Sequence, residues 1–415
     1  WYTSWSQRFY KTGGPTMLTG KTVLLGVSGG IACYKAAQLA SDLVKQHANV
    51  HVVMTRNAAE FITPLTFEAL TGNRPVLDTF DRNFPHEIKH ISLAEQADLV
   101  LIAPATANVL AKLAHGLADD MLTTTVLACR CPKLAAPAMN TAMYENPVTQ
   151  DNLAALRRYG WEILEPDAGR LACGAYGRGK LPDPERLLEA VLHRISHTQD
   201  MTGLHVLVTA GPTQEALDPV RYLTNHSTGK MGYAIARAAA ARGADVTLVS
   251  GPTSLPQPLY VDFVPVTSAQ EMCHAVQARS AAQEIIIKAA AVADYRPAQA
   301  AAEKRKKSSD GLTLELARTE DILAWLGRNR RLGQFLCGFS METQDLVENS
   351  RKKLDKKHAD LIAANSLRDP GAGFGTNTNI LTLITRDTVT PLPMLSKDAA
   401  AHRLLDEILR YCTAK

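Results

Sequence analysis

The sequence lacks several features that would assign it to a membrane, fibrous or nucleic-acid-binding class. No stretch reaches the roughly 18 uninterrupted apolar residues that a membrane-spanning helix needs. Glycine and proline number 26 and 21, too few for a collagen-like or linker-like chain. Basic and acidic residues nearly balance, 45 against 41, so any anion site must come from a local cluster. With 46% apolar residues, a chain of 415 residues predicts two or three globular domains.

Cysteine shows no metal-binding or disulfide pattern. The seven cysteines are scattered, and the spacing of Cys129 and Cys131 does not fit a C-x-x-C zinc or redox pair. This usage predicts reduced thiols and a cytoplasmic protein. Residues 1–16 lack acidic side chains and a continuous apolar core, which excludes a secretory signal. We expect them to be an extension or tag outside the fold, with a transit peptide as the alternative.

Two nucleotide-binding fingerprints are also missing. No G-x-G-x-x-G follows the first strand of either half, so a dinucleotide-binding site of that type is excluded. The pair Gly229-Lys230 suggests a P-loop, but Thr224 stands where that motif needs glycine and Met231 stands where it needs serine or threonine.

Apolar runs alternating with helical periodicity predict two doubly wound (Rossmann-like) α/β domains, each built on a parallel sheet. The pattern begins near Met17 and restarts near Gly203, after a helix at Asp183–Ile195. We therefore assign a first domain to residues 17–197 and a second to 203–415. The predicted strands are Thr22–Val27, Val50–Met54, Leu99–Ala103, Leu134–Pro137, His205–Ala210, Asp245–Ser250, Ile285–Ala290, Phe335–Gly338, Leu361–Ala364 and Ile380–Thr385.

Small and polar residues follow the strands of the first half. Ser28-Gly29-Gly30-Ile31 leads from a strand into a predicted helix at Ile31–Gln46, where backbone N–H groups favour a phosphate, although a plain tight turn fits equally well. Thr106 and Asn108 follow the predicted strand Leu99–Ala103, where their side chains could contact a ligand or cap a helix.

Three further side chains of this half suit chemistry on a small acid. Asn140, between Met139 and Met143, can bond a carboxylate without adding charge. Cys173 lies in a glycine-rich segment suited to a flap that closes over a site. His90 precedes a predicted helix, where histidine is more often a cap or a surface residue than a base.

In this order, the Ser-Gly-Gly-Ile loop, His90, the Ala-Pro-Ala-Thr-Ala-Asn loop, Pro-Ala-Met-Asn and Ala-Cys-Gly resemble the flavin-containing cysteine decarboxylases that act on 4'-phosphopantothenoylcysteine, over about residues 19–195. Tyr144 departs from this family, where many members carry tryptophan. The resemblance implies a flavodoxin-like fold and FMN, with oxidation of the substrate thiol to a thioaldehyde, loss of CO2 and return of the hydride. It implies cofactor contacts from Ser28, Gly29, Gly30, Ile31, Thr55, Pro104, Thr106, Asn108 and Met139.

The same resemblance implies roles for three side chains. His90 acts as a base or electrostatic partner, Asn140 holds the substrate carboxylate, and Cys173 donates a proton in the final reduction.

The second half carries groups that handle anions. Asp294 follows a predicted strand, and basic runs lie at 303–307, in a predicted loop, and at 351–357, on a predicted helix where Lys353 and Lys357 share a face. Taken alone, each run fits a solvated surface. Aromatic residues do not interleave with them, which argues against an RNA-binding patch.

Through Asp-Pro-Val-Arg-Tyr, Asn-His-Ser-Thr-Gly-Lys-Met-Gly and Ala-Ala-Val-Ala-Asp-Tyr, residues 203–411 resemble the phosphopantothenate–cysteine ligases. The resemblance implies CTP, Mg²⁺ and an acyl-cytidylate intermediate. It implies that Asn225 holds the intermediate with Arg221 nearby, and that Lys304 stabilises charge. The implied nucleotide contacts are Ala289, Ala290, Asp294, Lys304, Asp321, Ile322, Phe339, Lys353 and Lys357. Residues 318–321 depart from the Asn-Pro-Asp of many relatives.

Both halves together predict a bifunctional enzyme of coenzyme A biosynthesis, because the ligase product is the decarboxylase substrate. A non-catalytic regulatory protein on the flavin scaffold and a flavin oxidoreductase with net electron transfer are the alternatives. The expected partners are small-molecule substrates, without nucleic acid or membrane. The resemblance suggests a homo-oligomer, a dodecamer built from trimers of the flavin domain and dimers of the ligase domain.

Overall fold

The structure is a computed structural model that describes residues 18–80, 88–172, 174, 176–304, 313–342, 344–366 and 375–413. Its contacts divide the chain into two compact units, of which the first ends at Thr198 and the second begins at Gln199. Within these described ranges, no helix is long and apolar enough to cross a membrane.

The described part of the first unit contains seven strands and nine helices. The strands are β1 (Thr22–Val27), β2 (Asn49–Met54), β3 (Leu99–Ala105), β4 (Lys133–Pro137), β5 (Glu162–Ile163), β6 (Asp167–Arg170) and β7 (Tyr176–Lys180). The helices are α1 (Cys33–Lys45), α2 (Arg56–Ala59), α3 (Pro64–Thr71), α4 (Lys89–Gln96), α5 (Ala107–His115), α6 (Met121–Ala128), α7 (Thr141–Glu145), α8 (Pro147–Arg158) and α9 (Pro184–Ile195).

The main sheet of this unit is parallel, in the order β2-β1-β3-β4-β5. Every residue of β3 is buried, as expected for a strand covered on both faces. The predicted doubly wound fold is confirmed, and the strand order is that of flavodoxin-like sheets. The order reverses between β1 and β3, so the carboxyl ends of these strands form a crevice.

Two details of this unit differ from the sequence prediction. Helix α1 begins at Cys33 and not at Ile31, because the Gly30 carbonyl accepts a hydrogen bond from the Cys33 N–H in a preceding turn. His90 does not precede a helix. It is the second residue of α4, which begins at Lys89.

Strands β6 and β7 form an antiparallel hairpin at the position of the predicted flap. Gly179, on β7, has a φ of 141°, and a Cβ there would lie 2.2 Å from the carbonyl oxygen of Met139. The Met139 N–H donates to the Gly179 carbonyl at 3.0 Å. The hairpin is therefore packed directly against the segment that carries Asn140.

The described part of the second unit contains fourteen strands and five helices. The strands are β8 (His205–Ala210), β9 (Gln214–Ala216), β10 (Tyr222–Thr224), β11 (Asp245–Ser250), β12 (Val261–Pro265), β13 (Ile285–Lys288), β14 (Tyr295–Pro297), β15 (Leu316–Arg318), β16 (Phe335–Glu342), β17 (Leu361–Ser366), β18 (Thr378–Asn379), β19 (Leu381–Ile384), β20 (Val389–Pro391) and β21 (Leu395–Ser396). The helices are α10 (Lys230–Ala241), α11 (Ala269–Ser280), α12 (Ile322–Asn329), α13 (Leu346–Lys357) and α14 (Lys397–Thr413).

The main sheet of the second unit has the order β12-β11-β8-β13-β16-β17-β19-β20. Its first six strands are parallel, and the order reverses between β8 and β13. Strand β19 pairs antiparallel with β17. Strand β20 pairs antiparallel with β19, because a tight turn joins them in which the Thr385 N–H donates to the Thr388 carbonyl. Strand β13 ends at Lys288, two residues short of its prediction, since the Ala290 N–H bonds to the Thr209 hydroxyl and Ala291 pairs with Pro212.

Candidate functional site

The first candidate site lies at the reversal between β1 and β3. Ser28 follows β1, and its hydroxyl donates to the Pro104 carbonyl at 2.7 Å and accepts the Thr106 N–H at 2.9 Å. Ser28 and Pro104, both predicted as cofactor contacts, are buried and hold the two loops of the crevice together.

A cleft of about 550 Å³ opens at this crevice, and four of the predicted cofactor residues line it: Gly29, Thr55, Thr106 and Asn108. Its volume lies within the range of about 300–1,000 Å³ that is typical of small-molecule sites. A Cβ added at Gly30 would meet no atom within 4 Å, so a ligand can approach the backbone closely there. The residues present therefore fit a flavin phosphate and ribityl chain.

Sequence reasoning missed the charged residues of this cleft. Lys112 forms ion pairs with Asp119 at 2.6 Å and with Asp120 at 2.9 Å, and these hydrogen bonds raise the pKa of Lys112. Arg56 lies 3.4 Å from Asp78. Asp120 is also the N-cap of α6, where its carboxylate accepts the Thr123 N–H. A capping aspartate before an apolar run is the one signal of this charged group that the sequence offers.

Asn140 is the N-cap of α7, and its Oδ1 accepts the Ala142 N–H at 2.9 Å. The same helix is fixed by Tyr144, whose hydroxyl donates to Glu165 at 2.5 Å. Burial, with the hydrogen bond to Glu165, raises the pKa of Tyr144 to about 12. The Tyr144 hydroxyl therefore stays protonated and donates this hydrogen bond. On the same helix, Met143 lines the cleft.

The remaining predicted residues of this half differ in their positions. Met139 is half-buried against the core, whereas the side chain of Ile31 is exposed. His90 is half-buried on α4 and does not line the cleft as far as the described residues define it. Cys173 lies outside the described residues.

The second candidate site lies at the reversal between β8 and β13, where hydrogen bonds fix the loops. Thr209 Oγ1 accepts the Ala290 N–H at 3.1 Å, and Thr213 Oγ1 accepts the Ala293 N–H at 3.0 Å. The Asn225 amide donates to the Ala291 carbonyl at 3.0 Å. These contacts hold Asn225 beside the loop that follows β13.

Two clefts adjoin at this reversal and share Lys288, Val292, Asp294, Phe339 and Lys353 as a common wall. The smaller, of about 270 Å³, also includes Ala289, Ala290 and the start of α10. The larger, of about 510 Å³, includes Asp321, Ile322 and Lys357. All the predicted nucleotide contacts except Lys304 are thus brought together.

Basic side chains barely outnumber carboxylates in the larger cleft, four against three: Lys288, Arg318, Lys353 and Lys357 against Asp294, Glu320 and Asp321. Lys353 donates to the Phe339 carbonyl at 2.8 Å, and Lys357 pairs with Asp321. Burial alone would raise the pKa of Asp321, but hydrogen bonds from Lys357 and from the Ala324 N–H lower it. Burial, followed by the positive charge of Lys353, lowers the pKa of Lys288 to about 8.

The smaller cleft has two further lysines that the sequence did not single out as ligands. Lys230 donates to Asn377 Oδ1 at 2.8 Å and to the Gly375 carbonyl at 3.0 Å, and Lys397 donates to the Thr376 carbonyl. Burial and the charge of Lys230 lower the pKa of Lys397 to about 8. Both lysines line the cleft with the first turn of α10, so this end of the cleft suits an anion.

Arg221 and Lys304 are not among the residues that line either cleft within the described ranges. Arg221 is paired with Asp218, and Lys304 is exposed. The rest of the basic run after Lys304 lies outside the described residues. Among the residues that the structure describes, no group of three or more histidine, cysteine or acidic side chains could hold a metal ion.

Comparison with known proteins gives matches over both units. Residues 12–196 match the family described as Flavoprotein, and residues 201–411 match the DNA/pantothenate metabolism flavoprotein C-terminal domain. The Coenzyme A biosynthesis bifunctional protein CoaBC of Bacillus subtilis is 50% identical over 396 residues, which cover 94% of this chain and 97% of that protein. Its counterpart in Escherichia coli K12 is 45% identical over 399 residues, which cover 95% of this chain and 98% of that protein.

Two solved structures match one unit each. The crystallised C-terminal domain of a CoaBC protein is 42% identical and covers 52% of this chain and 100% of that chain, with a TM-score of 0.46. A mutant PPC decarboxylase complexed with pantothenoylaminoethenethiol is 32% identical, with a TM-score of 0.37. The match covers 41% of this chain and 96% of that chain.

Proposed function

The chain belongs to the family of bifunctional coenzyme A biosynthesis proteins, and from that premise we propose which residues carry out its two reactions. The second domain is a phosphopantothenate–cysteine ligase. The first domain is a decarboxylase that converts the product, 4'-phosphopantothenoylcysteine, to 4'-phosphopantetheine. The observation that carries the residue assignment is a ligand-sized cleft at the strand reversal of each sheet.

For the ligase, we propose that CTP binds the larger cleft and reaches Ala289 and Ala290 across the common wall, and that 4'-phosphopantothenate binds the rest of the smaller cleft. An ionised carboxylate is a poor acyl donor, so it attacks the α-phosphorus of CTP to form an acyl-cytidylate and pyrophosphate. The amine of cysteine then displaces CMP and forms the amide. Lys288, on the common wall, lies where the attacking carboxylate and the α-phosphate meet.

The charges of the two clefts support this orientation. Lys288 and Lys353 line both clefts, and Arg318 and Lys357 line only the larger one, where triphosphate oxygens need cations. Lys230, Lys397 and the start of α10 face the far end of the smaller cleft, which suits the 4'-phosphate of the other substrate.

We propose that Asn225 holds the carbonyl of the acyl-cytidylate, since its side chain is fixed beside Ala291 at the reversal. Arg221 supports the same segment through its pair with Asp218. Lys304, which is exposed, acts on the developing negative charge from the loop that it begins.

Mg²⁺ is proposed to enter with CTP, with phosphate oxygens as most of its ligands. Asp294, Glu320 and Asp321 line the larger cleft but do not form a cluster that could hold the ion by themselves, so each offers at most a carboxylate oxygen beside the phosphates. Hard oxygen donors of this kind suit magnesium and not a soft metal.

For the decarboxylase, we propose that FMN is held by the backbone at Gly29 and Gly30 and by Thr55, Thr106 and Asn108. Bound FMN supplies reversible hydride transfer, so the overall reaction needs no external reductant. Asn140, fixed as the cap of α7, binds the substrate carboxylate and keeps it oriented for loss of CO2. The packing of β7 against Met139 positions the hairpin beside that group.

We further propose that His90 supplies positive charge or accepts a proton near the substrate carboxylate and thiol, and that Cys173 donates the proton that completes the product. A homo-oligomer, as a dodecamer of trimers and dimers, is supported by large exposed apolar side chains of the first domain, including Ile31, Tyr34 and Leu65. A cytoplasmic location suits an enzyme whose substrates are phosphorylated metabolites.

One incubation tests both assignments. Purified protein with 4'-phosphopantothenate, cysteine, Mg²⁺ and CTP should yield CMP and 4'-phosphopantetheine by mass spectrometry, and its visible spectrum should show a flavin band. ATP in place of CTP is the matched control and should give little product. A spectrum without a flavin band would contradict the proposal. So would AMP formation from ATP as fast as CMP formation from CTP.

A further inference from the structure

The hairpin of β6 and β7 and the turn before it contact both ends of the segment that carries Asn140. At the first end, the Met139 N–H donates to the Gly179 carbonyl of β7 at 3.0 Å. At the other end, the Tyr144 hydroxyl donates to the Glu165 carboxylate at 2.5 Å, and Glu165 lies two residues before β6 begins. This short segment is therefore tied at its first and last residues to one hairpin and its base.

Tyr144 connects the second contact to Asn140 through the backbone of α7. The Tyr144 N–H donates to the Asn140 carbonyl at 2.9 Å, and the Tyr144 carbonyl accepts the Gln150 side-chain amide at 2.6 Å. The ring is buried in the core of the first unit. A displacement of this tyrosine would therefore move the helical turn that Asn140 caps.

The orientation of the Glu165 carboxylate is set by two donors from different helices. Its Oε2 accepts the Tyr144 hydroxyl of α7, and its Oε1 accepts Arg157 Nη2 of α8 at 2.5 Å. The Arg157 and Glu165 side chains are 44% and 49% exposed, and ion pairs with this exposure contribute little to stability. The network therefore fixes the position of α7 more than it stabilises the fold.

We propose that Glu165 is a positioning residue of the decarboxylase, which acts through Tyr144 to hold Asn140 against the substrate carboxylate. This inference rests on the proposed function, in which Asn140 binds that carboxylate. Asn140 Oδ1 accepts the Ala142 N–H at 2.9 Å, so the amide N–H groups are the part of this side chain that can donate to a carboxylate. A small shift of α7 misaligns these donors, and misplaced binding groups lower the rate.

Two ligands of the decarboxylase separate positioning from general damage. The substrate, 4'-phosphopantothenoylcysteine, has the carboxylate that Asn140 is proposed to bind, whereas the product, 4'-phosphopantetheine, lacks it. Tyr144→Phe and Glu165→Ala should each lower kcat/KM for the substrate by about threefold to tenfold, the effect of losing one hydrogen bond. The inhibition constant of the product should stay unchanged in both variants, because a loss of packing would weaken both ligands together.

Further variants test whether the two residues act through one hydrogen bond. Glu165→Gln keeps an oxygen acceptor for the tyrosine hydroxyl, so it should recover most of the rate that Glu165→Ala loses. The double variant, Tyr144→Phe with Glu165→Ala, should be no slower than the slower single variant, since both changes remove the same bond. Glu145→Gln, at an exposed position of α7, is the matched control and should behave like the wild type. Flavin content and melting temperature show that each variant is folded.

The proposal is overturned if Tyr144→Phe and Glu165→Ala keep the wild-type kcat/KM, or if they weaken the product as much as the substrate. It is also overturned if Glu165→Gln is as slow as Glu165→Ala.

Asn140→Asp tests the proposed function separately, because it keeps an acceptor for the cap of α7 but repels the substrate carboxylate. A wild-type rate in Asn140→Asp would contradict the role of Asn140 itself. A slow Asn140→Asp beside unaffected Glu165 variants would contradict only the role of Glu165.

Discussion

The guanidinium of Arg221 forms a two-point ion pair with the carboxylate of Asp218, whose Oδ2 lies 2.5 Å from Nη2 and 3.0 Å from Nε. The Asp218 side chain is fully buried, and its Oδ1 accepts the N–H groups of Val220 and Arg221 at 2.9 Å each. One buried carboxylate therefore fixes both the backbone and the side chain of the arginine that precedes β10.

Asp218→Asn should disable the ligase and spare the decarboxylase. The amide cannot match the charge of Arg221, whose half-exposed side chain would lose its fixed position. The ligase kcat/KM should therefore fall by about tenfold, the effect of losing about 1.4 kcal/mol of transition-state stabilisation. CMP release measures the ligase, and CO2 release from 4'-phosphopantothenoylcysteine measures the other domain. Asp262→Asn, at an exposed position on β12, is the control. An unchanged ligase would exclude a role for the pair.

Ser28→Ala should weaken the first domain and its flavin site together. The substitution leaves the partly buried Thr106 N–H without its acceptor, which costs about 1 kcal/mol, the low end of the range for a buried group. We expect a lower urea midpoint for this domain and a lower flavin content after purification. Ser41→Ala, at a half-exposed position of α1, should change neither. Full flavin retention in the Ser28 variant would show that the hydroxyl does not shape the site.

Lys288 should make the ligase sensitive to alkaline pH. Its pKa, lowered to about 8, means that the cation predominates below pH 8 and is lost as the pH rises through that value. The wild-type kcat/KM for CTP should therefore decline above pH 8. Lys288→Met should be about tenfold or more slower at pH 7, the effect of losing about 1.4 kcal/mol, and should show a flatter profile.

Lys397 shares a pKa of about 8 and provides the matched comparison. Lys397→Met should raise KM for 4'-phosphopantothenate and leave KM for CTP unchanged, because its side chain faces only the smaller cleft. A rise in KM for CTP in this variant, or an unaltered pH profile in Lys288→Met, would contradict the assignment of the clefts.

Lys304→Gln should abolish amide formation almost completely without a change in stability. The side chain is exposed, so little packing is lost, whereas the positive charge proposed to act on the acyl-cytidylate disappears. Quantifying the amide product by mass spectrometry tests this. Lys352→Gln, which removes another exposed lysine on α13, is the control. A full ligase rate in Lys304→Gln would remove this residue from the mechanism.

Cys173→Ser should stop the decarboxylase after CO2 is lost. Serine is a far weaker acid than cysteine, so the final protonation fails and an enethiol 2 Da lighter than 4'-phosphopantetheine should accumulate. Mass spectrometry of the product distinguishes the two compounds. Cys412→Ser, which changes an exposed cysteine of the second unit, should turn over normally. Normal turnover by Cys173→Ser would rule out its role as proton donor.

The sheets could be predicted from sequence because their buried strands are short, nearly continuous apolar runs. Thr22–Val27, His205–Ala210 and Asp245–Ser250 match the observed strands residue for residue. Strand ends were less predictable where tertiary contacts intervene. Ala290 has the same local character as Ile287, yet it leaves the ladder because its N–H bonds to Thr209.

The sites were predictable only where the sequence carries a local motif. Asn225 and Asp294 belong to such motifs, and Asn225 lies beside the strand reversal that Asp294 lines. Lys397 has no local signal, because its role depends on contact with a segment twenty-one positions earlier, at Thr376. Lys288 offered a weak signal, a charge at the end of an isoleucine run, whose meaning required knowledge of the adjoining clefts.

The close approach of Gly179 to Met139 limits which sequences can fill this position. Because even a methyl group would overlap the Met139 carbonyl oxygen, a saturation library selected for coenzyme A synthesis should return glycine alone at 179. At Gly174, where an added Cβ meets no neighbouring atom within 4 Å, the penalty is confined to the positive φ, and asparagine should survive alongside glycine.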